Sequence, residues 1–237
     1  MSRVIVITGA GGALGGALSA HFAAAPDTKV VLSDLMVDAL PSGDNVERMA
    51  ADVSNYDDVE AVVAQAVARF GRLDALIQNA GVLSPNGRIH NLSTDDWERA
   101  FRVNVLGSVN AIKAAVGVMR PQGSGSIVLT ASVAGMTAWS HAAPYCATKA
   151  AVIQTAKVAA IEYARDGIRV NCVCPGTFLS AIHEELPQQA IDAMAAKHPL
   201  GLGAATDLVG AYDYLVSDAA KWTTGTALVV DGGYSAP

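Results

Sequence analysis

The chain has 237 residues, 51% hydrophobic and 16% charged, a balance that suits an α/β domain with a large core and excludes a disordered chain. A formal net charge of −6, with no Lys/Arg cluster along the sequence, argues against nucleic acid or an anionic membrane surface as the main partner. No apolar run approaches the roughly 18 residues of a membrane span.

The first apolar run, Val4 to Ile7, is too short for a signal-peptide core and is predicted to be a buried strand. It leads into Thr8-Gly9-Ala10-Gly11-Gly12-Ala13-Leu14-Gly15 and an Ala-rich helix to about Ala25. Strand, glycine loop and helix in that order let the backbone approach a pyrophosphate, which the free N–H groups of the helix start would receive. A second strand, Lys29 to Leu32, ends at Ser33-Asp34. That carboxylate falls 19 residues after Gly15, where a dinucleotide fold needs an acceptor for the adenosine ribose hydroxyls.

A third strand, Glu47 to Ala51, closes with Asp52-Val53, and a helix follows from about Tyr56 to Phe70 with Val59, Val62, Val63, Ala66 and Val67 at core-facing spacing. The fourth strand, Leu73 to Gln78, ends at Asn79-Ala80-Gly81. Ser93-Thr94-Asp95-Asp96 reads as a capping box with Asp in place of Glu, opening one long helix toward Val118 with Asn104 inside it. Ser126 to Ala131 is the fifth strand and delivers Ser132 at its carboxyl end. A helix from Tyr145 to Arg165 stops at Gly167, and the sixth strand, Ile168 to Cys174, runs into Pro175-Gly176. An excursion over 177–205, a helix from Asp207 to Ser217 and a strand from Ala227 to Val230 complete the chain, before Asp231-Gly232-Gly233.

Strands alternating with helices predict a doubly wound parallel sheet of about seven strands, helices on both faces, in a single domain over 1–237. Cys146, Cys172 and Cys174 have no metal spacing and cannot all pair, so they read as free thiols in a reducing cytoplasm. Cys172 and Cys174 are expected on opposite faces of their strand.

Tyr145 and Lys149 stand four positions apart, on one face of a helix. A tyrosine is a poor base at neutral pH, since its free pKa lies near 10. An ammonium one turn away is expected to draw that pKa down and fit the phenol for proton transfer. Ser132 offers a neutral hydroxyl to a carbonyl or alcohol oxygen.

The pieces Thr8-Gly9-x-x-x-Ala13-x-Gly15, Asp52-Val53, Asn79-Ala80-Gly81, Asn104, Ser132, Tyr145-x-x-x-Lys149, Pro175-Gly176 and Asp231-Gly232-Gly233 occur in an order and spacing that resembles the short-chain dehydrogenase/reductase family over nearly the whole chain. The resemblance implies a Rossmann fold and an oxidoreductase that interconverts a secondary alcohol and a ketone by hydride transfer with NAD. It implies a catalytic set of Asn104, Ser132, Tyr145 and Lys149. Tyr145 would be the general acid/base, with Lys149 lowering its pKa and binding the nicotinamide ribose. Ser132 would hold the substrate oxygen, and Asn104 a helix kink and an ordered water.

By the same resemblance, cofactor contacts fall on Gly9, Gly11, Gly12, Ala13, Leu14, Gly15, Asp34, Asp52, Val53, Asn79, Ala80, Gly81, Tyr145, Lys149, Pro175, Gly176, Phe178 and Ser180. Substrate contacts fall on Ser132, Trp139, His141, Tyr145, Phe178 and Ile182, and no metal is expected. His141 is read as a binding or loop residue, since the catalytic set leaves no vacant acid/base role. Residues 177–205 would form a mobile substrate lid, and the apolar Phe178, Leu179, Ile182 and Met194 suggest a substrate with a hydrophobic body. The family's usual Gly, Asn and Thr are replaced here by Ala13, Gln78 and Ser180, each expected to be tolerated. Small residues on the helices 94–118 and 145–165 let helices approach closely, and the resemblance implies a homotetramer assembled through them. The alternatives are an NADPH-dependent 3-oxoacyl carrier-protein reductase or a non-catalytic dinucleotide-binding protein, the latter disfavoured by the intact four-residue set.

Overall fold

In the computed structural model, which describes residues 2–180 and 187–236, the β-branched runs of the sequence become the strands of one parallel sheet. Its strands are β1 (Arg3–Thr8), β2 (Thr28–Asp34), β3 (Val46–Ala50), β4 (Ala75–Gln78), β5 (Gly125–Thr130), β6 (Ile168–Pro175) and β9 (Ala227–Val230). Their order is β3-β2-β1-β4-β5-β6-β9. All six pairings are parallel. The order reverses between β1 and β4, the place where this class of fold opens a ligand crevice at the carboxyl ends of the strands.

Both faces of the sheet are covered, which is why β1, β2 and β4 read as continuous apolar runs rather than alternating ones. On one face, α2 (Tyr56–Phe70), α4 (Gly107–Gln122) and α5 (Ala143–Tyr163) pack Val59, Ala115, Met119, Val152 and Ala156 into a core layer with Val6, Leu76 and Ile127. On the other, α1 (Ala13–Ala24) and α7 (Ala205–Val216) bury Leu18, Phe22, Tyr212 and Leu215 against Ile5, Ile7 and Ile77. Cys172 and Cys174 lie on the same face, in the layer of α4 and α5, as side chains two apart on a strand must. The expectation of opposite faces is corrected. All three thiols are free.

The predicted long helix is not continuous. The box formed by Ser93 and Asp96 caps α3 (Thr94–Ala100) as expected, but Phe101–Leu106 are wound as a π-helix before α4 begins. Asn104 sits in that wide turn, and the hydroxyl of Ser108 donates to its carbonyl at 2.7 Å. Its buried side chain leaves the helix and holds the backbone of Val82, accepting from the N–H at 2.8 Å and donating to the carbonyl at 3.0 Å. It also donates to the Thr148 hydroxyl at 3.0 Å, which in turn donates to the Tyr145 carbonyl at 2.8 Å. The asparagine therefore ties the loop after β4 to the first turn of α5.

The stretch 177–205 carries β7 (Phe178–Leu179), α6 (Gln188–Ala195) and β8 (Gly203–Ala204), with β7 and β8 forming a separate two-stranded parallel pair. Among the described residues no helix is long and apolar enough to cross a membrane.

Asn104→Ala removes three buried hydrogen bonds and leaves both backbone groups of Val82 without their partner. The expected loss is about 2–4 kcal/mol of unfolding free energy by denaturant titration. A loss below about 1 kcal/mol would show that the wide turn does not depend on this side chain.

Candidate active site

The ends of β1, β2 and β4 surround a groove of about 1000 Å³ lined by Gly9, Gly11, Gly12, Asp34, Asp52, Val53, Asn79, Ala80 and Gly81. The glycine loop is locked by geometry that no side chain would fit. A Cβ on Gly15 would lie 1.8 Å from the Gly9 carbonyl oxygen. Gly9 itself has φ +64 and presses on Ala80, 2.6 Å from where its Cβ would stand. Thr8 fastens the two loops, its hydroxyl accepting from the N–H groups of Asn79 and Ala80 at 3.1 and 3.3 Å. The same hydroxyl donates to Gln78 Oε1 at 2.7 Å, so the glutamine in place of asparagine is a satisfied buried amide, as expected. Ala13, Leu14 and Gly15 lie in the first turn of α1, Ala13 exposed and Leu14 in the core, and none of the three is among the groove's described lining residues.

Asp34 ends β2 with each carboxylate oxygen taking one backbone N–H, Gly11 at 2.8 Å and Leu35 at 2.7 Å. A carboxylate has about four acceptor sites, so both oxygens retain capacity for hydroxyl donors. The next two residues, Leu35 and Met36, are exposed and apolar. Arg48 is spent on the carbonyls of Asp38 and Leu40 at 3.3 and 3.5 Å. Arg99, at the Val103 end of the groove, is the one cation among its described lining residues.

The four residues singled out in the sequence converge beside this groove. Ser132 and Lys149 are buried, and Lys149 Nζ donates to the Thr130 carbonyl at 2.8 Å. The same Nζ sits over the Tyr145 ring, 5.6 Å from its centre. Ser132 Oγ accepts from the Ala134 N–H at 3.1 Å, and the Ser132 side chain hydrogen-bonds the Tyr145 phenol.

The protonation states differ from the sequence expectation. Burial pushes the Tyr145 phenol up, and what opposes that rise is the hydrogen bond from Ser132, not the ammonium. Burial also lowers Lys149 to about 8, against a smaller opposing effect of Cys174 and Cys172. Desolvation therefore outweighs the attraction between the two groups, and both shift toward their neutral forms.

An aromatic wall extends from Tyr145. Trp139 stacks on it with ring centres 6.2 Å apart and meets Tyr234 edge-on at 6.2 Å, and Tyr234 lies 4.8 Å from the buried His198. His198 Nε2 accepts from the Thr177 N–H at 3.2 Å, so Nδ1 carries the proton and faces the Met194 carbonyl at 2.9 Å. This ring pins the start of the 177–205 stretch to α6. His141 has φ +69, a left-handed backbone rare for a non-glycine residue, and its Nδ1 lies 2.8 Å from Ser140 Oγ. Phe178 turns toward the core layer of α1 and α7. Pro175 is buried at the end of β6, where the Gly176 N–H donates to the Val230 carbonyl at 3.0 Å, and Ser180 follows β7. Ile182 lies outside the described residues. Sequence reasoning missed Thr8, Thr148, Tyr234 and His198. Thr8 could have been found from its place at the loop mouth, but nothing local marks the other three.

A family model described as enoyl-(acyl carrier protein) reductase matches residues 13–235. The chain is 35% identical to cis-4-hydroxycyclohexanecarboxylate dehydrogenase of Sinomonas cyclohexanicum over 99% of this chain and 97% of that one. It is 34% identical to 2-(R)-hydroxypropyl-CoM dehydrogenase of Xanthobacter autotrophicus, with 100% of both chains covered. A solved short-chain type dehydrogenase/reductase from Mycobacterium marinum superposes with a TM-score of 0.89 at 30% identity, covering 99% of this chain and 96% of that one. The chain belongs to the short-chain dehydrogenase/reductase family. The solved structure of ElxO with NADP bound, 28% identical, superposes with a TM-score of 0.94 over 100% of both chains. As a short-chain dehydrogenase/reductase, this protein is an oxidoreductase that uses a nicotinamide dinucleotide. The groove fits that group: a loop closed to side chains, a helix start behind it, and a carboxylate with free acceptor sites at its far wall.

The Lys149 shift sets a pH dependence of stability. Its folded value of about 8 lies below the free value of 10.5, so between those limits the unfolded chain binds more protons and stability rises with pH. Below pH 8 the folded protein bears the full cost, about 3 kcal/mol. Lys149→Met is expected to be more stable than wild type near pH 7 by about 2 kcal/mol, after the lost Thr130 hydrogen bond, with the advantage gone by about pH 10.5. Urea titrations of both proteins across that range read the difference directly. A constant gap would place the lysine in solvent.

Proposed function

We propose that the protein is an NAD(H)-dependent oxidoreductase that interconverts a small secondary alcohol and its ketone, with Tyr145 as general acid/base. The observation that carries this reading is the convergence of Asn104, Ser132, Tyr145 and Lys149 beside the groove at the carboxyl ends of β1, β4 and β5. A binding module needs no such set. The relatives named above act on a hydroxycyclohexanecarboxylate and on hydroxypropyl-CoM, both secondary alcohols, which supports the same substrate class here.

Bound in the groove, the nicotinamide supplies the two-electron redox chemistry. The protein's share is positioning and proton transfer. Ser132 and Tyr145, hydrogen-bonded to each other, together receive the substrate oxygen. The phenol, held protonated by burial, donates to that oxygen as a ketone is reduced, and in oxidation the phenolate takes the proton back. Oxidation therefore gains from alkaline pH more than reduction does. Lys149 and Thr130 anchor the phenol's surroundings, and Asn104 fixes the first turn of α5 through Thr148. The aromatic wall of Trp139 and Tyr234 suits an apolar substrate body, with the 177–205 stretch as its lid.

Exposed Val158 and Ile161 on α5 and Leu106 at the end of the wide turn support assembly into a homotetramer through these helices. The free thiols support a reducing, cytoplasmic setting.

Tyr145→Phe keeps the ring and removes only the proton-transferring oxygen, so kcat is expected to fall by about 10²–10⁴-fold while dinucleotide binding survives. Turnover near the wild-type level, followed by cofactor absorbance with a panel of secondary alcohols and ketones, would overturn the assignment.

Cofactor choice follows from Asp34. A 2′-phosphate would meet its carboxylate with no cation at Leu35 or Met36 to answer it. NAD is expected to be preferred by about two orders of magnitude in kcat/KM, roughly 2.7 kcal/mol. Asp34→Ala combined with Leu35→Arg should erode or reverse that ratio. Equal use of NADP by the wild type would show that Asp34 does not face the ribose.

A further inference from the structure

Arg88 and His90 lie about fifty positions before His141, and nothing in the sequence connects them. The fold brings them together. Gly87 pairs with Ala142 in an isolated parallel bridge, and the Gly87 N–H donates to the His141 carbonyl at 2.9 Å. Arg88, His90 and His141 then line one groove of about 800 Å³ with Trp139 and Cys146. No Asp or Glu is among the described lining residues, and none of the three bases takes part in an ion pair among the described residues. On a chain of net charge −6 this groups one guanidinium and two imidazoles away from any carboxylate among the described lining residues.

Two further features point to a ligand there. Among the described residues the buried Trp139 Nε1–H has no hydrogen-bond partner, an unmet donor in a residue that lines this groove. The left-handed backbone of His141 is a local strain of the kind that persists where surrounding contacts hold it, often at binding sites. Trp139 also stacks on Tyr145 with ring centres 6.2 Å apart, so a residue that lines the groove touches the phenol ring.

We propose that the groove lined by Arg88, His90, His141 and Trp139 is an anion subsite that holds a carboxylate or sulfonate carried on the same small molecule as the reacting alcohol. This rests on the oxidoreductase reading and narrows it to hydroxy acids. The Arg88 guanidinium pairs with two oxygens of the anion, the imidazoles donate to what remains, and the apolar linker lies along the Trp139 ring.

The test is titration calorimetry of the full-length protein with cyclohexanecarboxylate, cyclohexanesulfonate and the neutral methyl cyclohexanecarboxylate, none of which can be oxidised at a carbinol. Wild type is expected to bind at least one anion about tenfold or more tightly than the ester, and the better anion identifies the natural head group. Arg88→Ala should collapse that anion-to-ester ratio by about tenfold, and Arg88→Lys should restore part of it. Equal affinity for ester and anions in the wild type, or a ratio indifferent to Arg88→Ala, would overturn the subsite. Because binding is read without turnover, an anion preference in a protein that oxidises no secondary alcohol would count against the oxidoreductase reading and not against the subsite.

Discussion

The structure depends on holding one ammonium where an ammonium is costly. Lys149 is buried with no carboxylate among its influences from the described residues, and its fixed support is a backbone carbonyl, that of Thr130, together with the face of the Tyr145 ring. An unpaired charge in such a place is tolerated only if the groups around it cannot relax away. Much of the architecture near the site reads as meeting that condition. Thr130 ends a central strand, with its hydroxyl bonded to the fully buried Tyr212 at 2.8 Å. Asn104 fastens α5 to the loop after β4 through Thr148, and Gly135 lets the loop after Ser132 lie directly on the Lys149 backbone.

Rigidity here has a chemical use. Burial moves the phenol and the ammonium in opposite directions along the pH scale and so pulls apart two groups whose free values nearly coincide, which keeps the proton on the phenol until a substrate oxygen receives it. Ser132 supplies the opposing influence on the phenol, which links substrate-oxygen recognition to the acidity of the proton donor. The family's relatives show that this frame serves many alcohols. Selectivity must then come from what differs at its rim: the apolar pair after Asp34, the aromatic wall, and the cationic groove around Arg88.

The fold was legible because its signals are local. Apolar runs bounded by Gly-rich turns placed seven strands with errors of one or two residues at their ends, and Ser93 with Asp96 marked a helix start that the structure confirms. The π-helix at Phe101–Leu106 was not legible, since a widened turn leaves no mark in residue periodicity. Asn104 stood out only as a poor helix former. The acidity of Tyr145 differs from the expectation because the sequence shows a cation four residues away and hides the burial that raises the phenol. The opposite-face expectation for Cys172 and Cys174 failed on the period of a strand. The groove at Arg88 needed a contact between Gly87 and Ala142 that no spacing announces.

The measurement that bears most directly on this account is the titration of Lys149 itself, by NMR of protein carrying ¹³C at the lysine ε-carbons, with the resonance assigned by its loss in Lys149→Met. A midpoint near 8 is the predicted result. A midpoint near the free value of about 10.5 would mean that water or a counter-charge reaches the ammonium. The buried carbonyl-held cation, on which the account of both stability and proton transfer rests, would then be wrong.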